Sequence, residues 1–462
     1  MISTDSNNTV SHDTIIANKL KNEEYKIWKK VVPSLYQHIT TFKPIFKNWT
    51  PEQIESLPKC ITFTNKIVSD NNNNGIIVTS VFCSLGGEVF EFNCNLPLGA
   101  YYIGDKPNEL PSPQYNEHEI SFIVEETQYE AKWVWNNEII VKLVSLTENK
   151  FLALSKSGSI AMFQDGSKTP INTIMETTTA SNIIVDIDIS QDKTSLIKSK
   201  SDSTSKQTVI EIIDNESTWG NKQVSMSLEN MIVTQIKFLD NNKIIGLCKD
   251  NRVCIWEVNS CDDHQPNWVL QLNETLKPTS IVSSPFIEQL FTIGFDNGEI
   301  RFYDLRNVQA QTTIPSKEHY LFKLIQIDND PVGQITMSQV SPFKLISMGD
   351  AGNIYHWDLE YIFGKVQEED FEDVKGDIVN QNDIQRECLT FFHTGGARRR
   401  SLCEGQGVNT SSYHPLIDDL VTTVDQDGLL SVYKPCLGKY IEDEVLEESA
   451  AATTEATVAA AE

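Results

Sequence analysis

Apolar and polar residues alternate through Phe291 to Asn307, FTIGFDNGEIRFYDLRN, with Phe291 and Ile293 ahead of a turn at Asp296-Asn297-Gly298 and Ile300, Phe302 and Leu305 beyond it. Two period-two runs joined by such a turn predict a β-hairpin. The pattern recurs around Phe163 (ALSKSGSIAMFQDG), Trp256 (LCKDNRVCIWEVN), Trp357 (ISMGDAGNIYHWDLE) and Tyr433 (TVDQDGLLSVYKP). Each copy puts Gly, Asn or Asp in the turn, where positive φ costs those residues least, and an aromatic near the end of the second run.

Spacing turns the echoes into an architecture. Trp256, Tyr303 and Trp357 are about 47 and 54 residues apart, near the period of a four-stranded propeller blade. Phe163 stands about two periods before Trp256, with TVIEIIDN (Thr208 to Asn215) as the member between them. GEVFEFN (Gly87 to Asn93) serves as the first and Tyr433 as the last, after a long insertion. The expected fold is all-β, a seven-bladed WD40 β-propeller over residues 42–437, in which neighbouring blades bury each other's strands and closure protects the edges. Its WD-type structural positions are Phe163, Trp256, Tyr303, Asp304, Trp357, Asp358 and Tyr433, and only Trp357-Asp358 keeps the Trp-Asp dipeptide.

Near the start the period changes. Ile16, Leu20, Trp28, Val31, Leu35 and Ile39, with Tyr25, Val32 and Tyr36 beside them, predict an N-terminal amphipathic α-helix within residues 12–41. Ser11 or Asp13 could cap it, and Pro33 should kink it or start a second segment. Its apolar positions cover more than one narrow stripe, so it either packs on the last blade or also offers Leu35, Tyr36 and Ile39 to a partner. Residues 1–11 and the acidic, alanine-rich 438–462 read as disordered. Residues 97–128 read as a long irregular connection, and Lys193 to Lys206 as a solvated loop.

After Trp357-Asp358 an acidic insertion, 364–388, places Glu368, Glu369, Asp370, Glu372 and Asp373 around Phe371. A long insertion in a compact ring is more often functional than accidental, although acidic runs are commonly just solvated.

Charge narrows the partners. With 64 acidic against 38 basic residues the net charge is -26 and the pI about 4.7, which argues against direct nucleic-acid binding and either suits a basic protein partner or, as charge alone favours, merely keeps a large protein soluble. Nine dispersed cysteines without a Cys-x-x-Cys read as reduced and intracellular. There is no apolar signal core and no apolar run of about 18 residues, so neither secretion nor a membrane span is expected. Phosphate-loop, His-Glu-x-x-His and Gly-x-Ser-x-Gly motifs are missing. His393 and His414 read as packing or turn histidines, and Cys248, Cys254, Cys261 and His264 are poorly spaced for a metal. No catalysis, cofactor or metal is expected.

NEEYKIWKKVVPSLYQHI (Asn22 to Ile39), FKPIFKNWTP (Phe42 to Pro51), SPFIEQLFTIGFDNGEIRFYDLRNV (Ser284 to Val308) and WDLEYIFGKVQEEDFEDVKG with LTFFHTGG occur in that order. Together they resemble the retinoblastoma-associated histone-binding WD-repeat family. The resemblance implies a nuclear, non-catalytic histone-binding scaffold, with the cytoplasm as a second location. In it, Leu35, Tyr36 and Ile39 face Glu368, Glu369, Asp370, Phe371, Glu372 and Asp373 to grip the first helix of histone four. It implies the histone three tail as a further ligand and larger chromatin-complex subunits as partners. The small subunit of chromatin assembly factor 1 is the first role implied and the accessory subunit of a type B histone acetyltransferase the second. An adaptor of a ubiquitin ligase or trafficking coat is the alternative from another class. The chain departs from that family in lacking the paired prolines after the acidic insertion, in Ala397 for its histidine, and in the extra Arg398, Arg399 and Arg400.

Overall fold

A computed structural model of the chain describes residues 35–69, 76–97, 127–176, 182–214, 221–258, 265–272, 275–287, 289–309, 320–363, 381–393 and 410–436. Seven four-stranded antiparallel sheets account for nearly all of its strands. The first strand of each blade, from Lys59–Ser69, Ile140–Thr147, Ile183–Ile189, Val233–Phe238, Pro278–Ser283 and Val332–Met337 to Ser411–Tyr413, touches the first strand of the next, and the last touches the first. That circle of contacts is a closed seven-bladed propeller.

The core is correspondingly divided. One buried apolar cluster lies between each pair of adjacent blades. A blade is therefore buried on both faces by its neighbours, so its inner strands are buried at successive positions, as Leu290–Phe295 is throughout, rather than at alternate ones. The WD-type positions Phe163, Trp256, Tyr303, Trp357 and Tyr433 are buried on the third strands of their blades, with Asp304 and Asp358 ending two of them. Trp357 Nε1 donates to Ser347 Oγ at 2.9 Å, and Gln326 Nε2 reaches the same oxygen at 2.7 Å from the preceding inter-blade link. In the opening hairpin, Leu290–Phe295 pairs with Glu299–Asp304, and Gly298 takes φ 81° in the turn.

Four expectations change. Within the segment expected to be helical, Tyr36–Phe42 is a strand, paired antiparallel with Leu430–Pro435 as the outermost strand of the last blade. The cause is an open edge: Leu430–Pro435 needs a partner, and Ile39, Thr40 and Thr41 are β-branched residues suited to supply one. The first and last described segments thus close the ring together, and the propeller starts at residue 36 rather than 42. Ser195–Asp202, read as part of a solvated loop, is the second strand of the third blade. Lys198 is buried there because Glu176 and Glu211 neutralise it. Thr127–Tyr129, at the end of the expected irregular connection, is a short strand parallel to Pro44–Phe46.

The fourth change is in the acidic insertion, whose last part, Gln381–Cys388, is a helix. Gln385 donates to Ile325 O at 2.7 Å and accepts from Ile325 N at 2.9 Å, so one amide side chain occupies the open backbone edge of the fifth blade. Ile384 and Cys388 bury their side chains in the cluster between the fifth and sixth blades. Residues 1–34, 364–380 and 437–462 lie outside the described residues, and with them the greater part of the expected helix and of the acidic insertion.

Candidate functional site

The cleft expected from sequence is dismantled on its helical side. Tyr36 and Ile39 are 6% and 7% exposed, in the apolar cluster between the sixth and seventh blades. Tyr36 shares a 2.7 Å hydrogen bond with His393 Nδ1, and its ring packs edge-on against Phe391 and Tyr433. Ile39 sits opposite Tyr433 in the closing ladder. Only Leu35 of the three reaches solvent, at 37% exposure. Glu368, Glu369, Asp370, Phe371, Glu372 and Asp373 lie outside the described residues, as do Arg398, Arg399 and Arg400. What the structure does join is the start of the ring and the strand that ends the insertion, Leu389–His393.

A central channel of about 470 Å³ is lined by the first strands of all seven blades. Much of its polar equipment links one blade to the next. Asp186 accepts from Lys142 Nζ at 2.7 Å on the preceding blade and from Ile236 N at 2.9 Å on the following one. Gln235 accepts from Ile281 N and donates to Thr279 O, both at 2.9 Å. Ser280 Oγ accepts from Ile335 N at 3.2 Å. Gln334 accepts from Thr410 N and donates to Ser411 O, both at 2.9 Å. Each side chain gives the next blade a partner that sheet pairing cannot supply across a radial gap.

Electrostatics follow the same division. Burial pulls the Lys142 ammonium below its ordinary range. Burial acts the same way on Lys237, but Asp188 and Asp186 outweigh it and raise that group. His414 Nδ1 accepts from Leu416 N and Ile417 N at 3.0 Å each, and burial lowers the ring to about 3. It is a turn histidine, neutral and locked by its loop. Cys248 Sγ and Cys254 Sγ approach to 3.7 Å, while Cys261 and His264 lie outside the described residues. Among the described residues no group of three metal-donor side chains forms.

At one mouth of the channel the loops between first and second strands carry apolar side chains that sequence analysis passed over. Phe286, Val340 and Leu416, on the fifth, sixth and seventh blades, are 44%, 38% and 56% exposed. Their signal was a Pro within two residues of each, in Pro285-Phe286, Val340-Ser341-Pro342 and Pro415-Leu416. The register places Leu35 and Cys436 on this face too, because Tyr36 and Pro435 pair at the same end of their blade as Tyr413 and Val421.

Ring, buried third-strand aromatics and hydrogen-bonded channel define the class: a seven-bladed propeller built to present its loops and edges. Comparison with known proteins gives the family. The chain is 36% identical to the transcriptional regulatory protein UME1 of Saccharomyces cerevisiae over 451 residues, 92% of this chain and 96% of that one. It is 31% identical to the transcriptional modulator WTM2 of the same yeast, over 88% of this chain and 95% of the relative. For the transcriptional modulator WTM1 the figures are 30%, 89% and 98%. The chain belongs to this family of yeast transcriptional regulators and modulators. No family model matches it. The likeness to the retinoblastoma-associated family is thereby overturned: it rested on short motifs, whereas similarity to the regulators runs nearly end to end.

Proposed function

We propose that the protein is a non-catalytic, nuclear scaffold of transcriptional regulation, a ring that holds chromatin-associated proteins, core histones among them. The supporting observation is similarity to three transcriptional regulators or modulators over 88% or more of this chain. Much of the channel's polar equipment is occupied in joining blades, which favours loops and outer surfaces for partners. A net charge of -26 favours basic proteins and speeds their encounter.

Two measurements test the proposal. Fused to a heterologous DNA-binding domain, the full chain should change reporter transcription severalfold, and native purification at about 0.15 M salt should retain core histones. An unchanged reporter refutes the regulatory role, and loss of histones refutes that partner. Ubiquitin-ligase or coat subunits as the dominant copurifying proteins would replace the reading with the adaptor alternative.

A further inference from the structure

We infer that the mouth of the channel over the fifth to seventh blades is a docking surface for a basic amphipathic segment of a partner protein, with Phe286, Val340 and Leu416 as its apolar anchors. The inference rests on the scaffold reading and assigns it a surface. Three large apolar side chains, each more than a third exposed, stand in equivalent loops of successive blades around one mouth, and exposed apolar surface gathered in this way marks interaction sites. Phe286 also lines the cavity, as do Pro285, Gln339 and Pro415, so an apolar side chain entering the mouth would be desolvated on several sides. The loops beneath are fixed. Ser284 Oγ accepts from Ile287 N at 3.0 Å, Ser338 Oγ from Ser341 N at 3.0 Å, and His414 Nδ1 holds the third. A pre-ordered surface loses little entropy on binding.

Charge specifies the occupant. Leu359 N donates to Phe343 O at 2.8 Å, which ties the loop of Val340 to the turn carrying Asp358 and Glu360. Asp358 and Glu387 both lie near enough to Cys388 to help burial push its thiol up to about 12, and Glu387 is paired with Arg386 at 2.8 Å. Beside the sixth-blade anchor's loop, Asp358 and Glu360 thus stand with Asp418, which accepts from Ser341 of that loop, and Asp419; Asp418 and Asp419 together hold Lys344, the cation opposite Asp358 in the sheet. An apolar anchor row flanked by surplus carboxylates fits a segment with apolar residues on one side and lysines or arginines beside them.

The test uses the full chain and a fluorescein-labelled helical peptide with Leu at i, i+3, i+4 and i+7 and Lys elsewhere, read by polarisation. Controls are the same composition scrambled and the same pattern with Glu for Lys. The Lys peptide should bind at least about tenfold tighter than either control. A Phe286→Ser, Leu416→Ser variant should lose at least about tenfold in affinity, and Leu416→Met should retain binding. All variants should melt with the parent, since the replaced side chains are exposed. Parent-like binding by the folded double variant, or equal binding of the Glu peptide, overturns the inference. If that variant also keeps its core histones, the scaffold reading survives and only this surface is wrong.

Discussion

Replacing Asp186 with Asn should be among the most destabilising single-atom-scale changes available in this ring. Asp186 and Lys142 are 2% and 6% exposed at the side chain and 2.7 Å apart, and the second carboxylate oxygen holds Ile236 N. Asparagine can still accept from Ile236 N but leaves the Lys142 ammonium buried beside a neutral amide. Breaking one partner out of a buried pair costs about 3–5 kcal/mol, because the remaining charge stays desolvated. Lys142→Met removes that charge, so the double variant should regain most of the loss. Nearby Asp188 also attracts Lys142, which sets the expectation for Asp186→Asn toward the lower end of the range. Urea unfolding of the parent, both single variants and the double variant gives the cycle, and the coupling should exceed about 1 kcal/mol. Strictly additive losses, or a cost below about 1 kcal/mol for Asp186→Asn, would mean the pair is hydrated and the inter-blade link is not what holds these blades together.

Gln385→Ala should expose the edge of the fifth blade and cost about 1–3 kcal/mol through the two unpaired groups of Ile325; amide exchange at Ile325 should accelerate while exchange in the first blade stays unchanged. Tyr36→Phe removes the bond to His393 and should cost about 1 kcal/mol, and hydrogen exchange should report faster opening of Tyr36–Phe42 against Leu430–Pro435. Acid should also loosen the ring. His356 and His414 are held neutral, each at about 3, by burial. The unfolded chain binds a proton at these sites near pH 6.5 and the folded chain does not, so their contribution is complete above that pH. It falls as pH drops toward 3, by up to about 1.4 kcal/mol per pH unit for each histidine. Denaturation midpoints measured from pH 7 to pH 5 should decline, and His414→Gln should flatten the slope; a slope unchanged by that substitution would exclude His414 as a source.

Blade number and the third-strand aromatics were readable because a hairpin writes itself locally: alternation, a turn with Gly, Asn or Asp, alternation again. Gly298 and Tyr303 need no distant partner to be recognised. The closing strand was not readable for the opposite reason. Tyr36–Phe42 pairs with a segment almost four hundred positions away, and its residues also satisfy a helical period when continued from Val31 and Leu35. Nothing local distinguishes the two readings; the unpaired edge of Leu430–Pro435 does. Lys198 shows the same limit, since a lysine and serine stretch reads as solvated until Glu176 and Glu211 are brought to it.

The candidate site separates along that line as well. Sequence pattern correctly identified Leu35, Tyr36 and Ile39 as apolar, but apolarity does not say which surface a residue serves. Pairing of Tyr36–Phe42 turns Tyr36 and Ile39 into the wedge between two blades, where Tyr36 meets His393 and Tyr433. The same pairing delivers Leu35 to the face on which Phe286, Val340 and Leu416 stand exposed. Those three lie in loops, follow no helical or strand period, and come together only because three blades set equivalent turns side by side around the channel. A propeller hides its binding surface from periodicity for this reason: the repeat fixes the strands, while recognition is assembled across repeats from residues that the repeat leaves free.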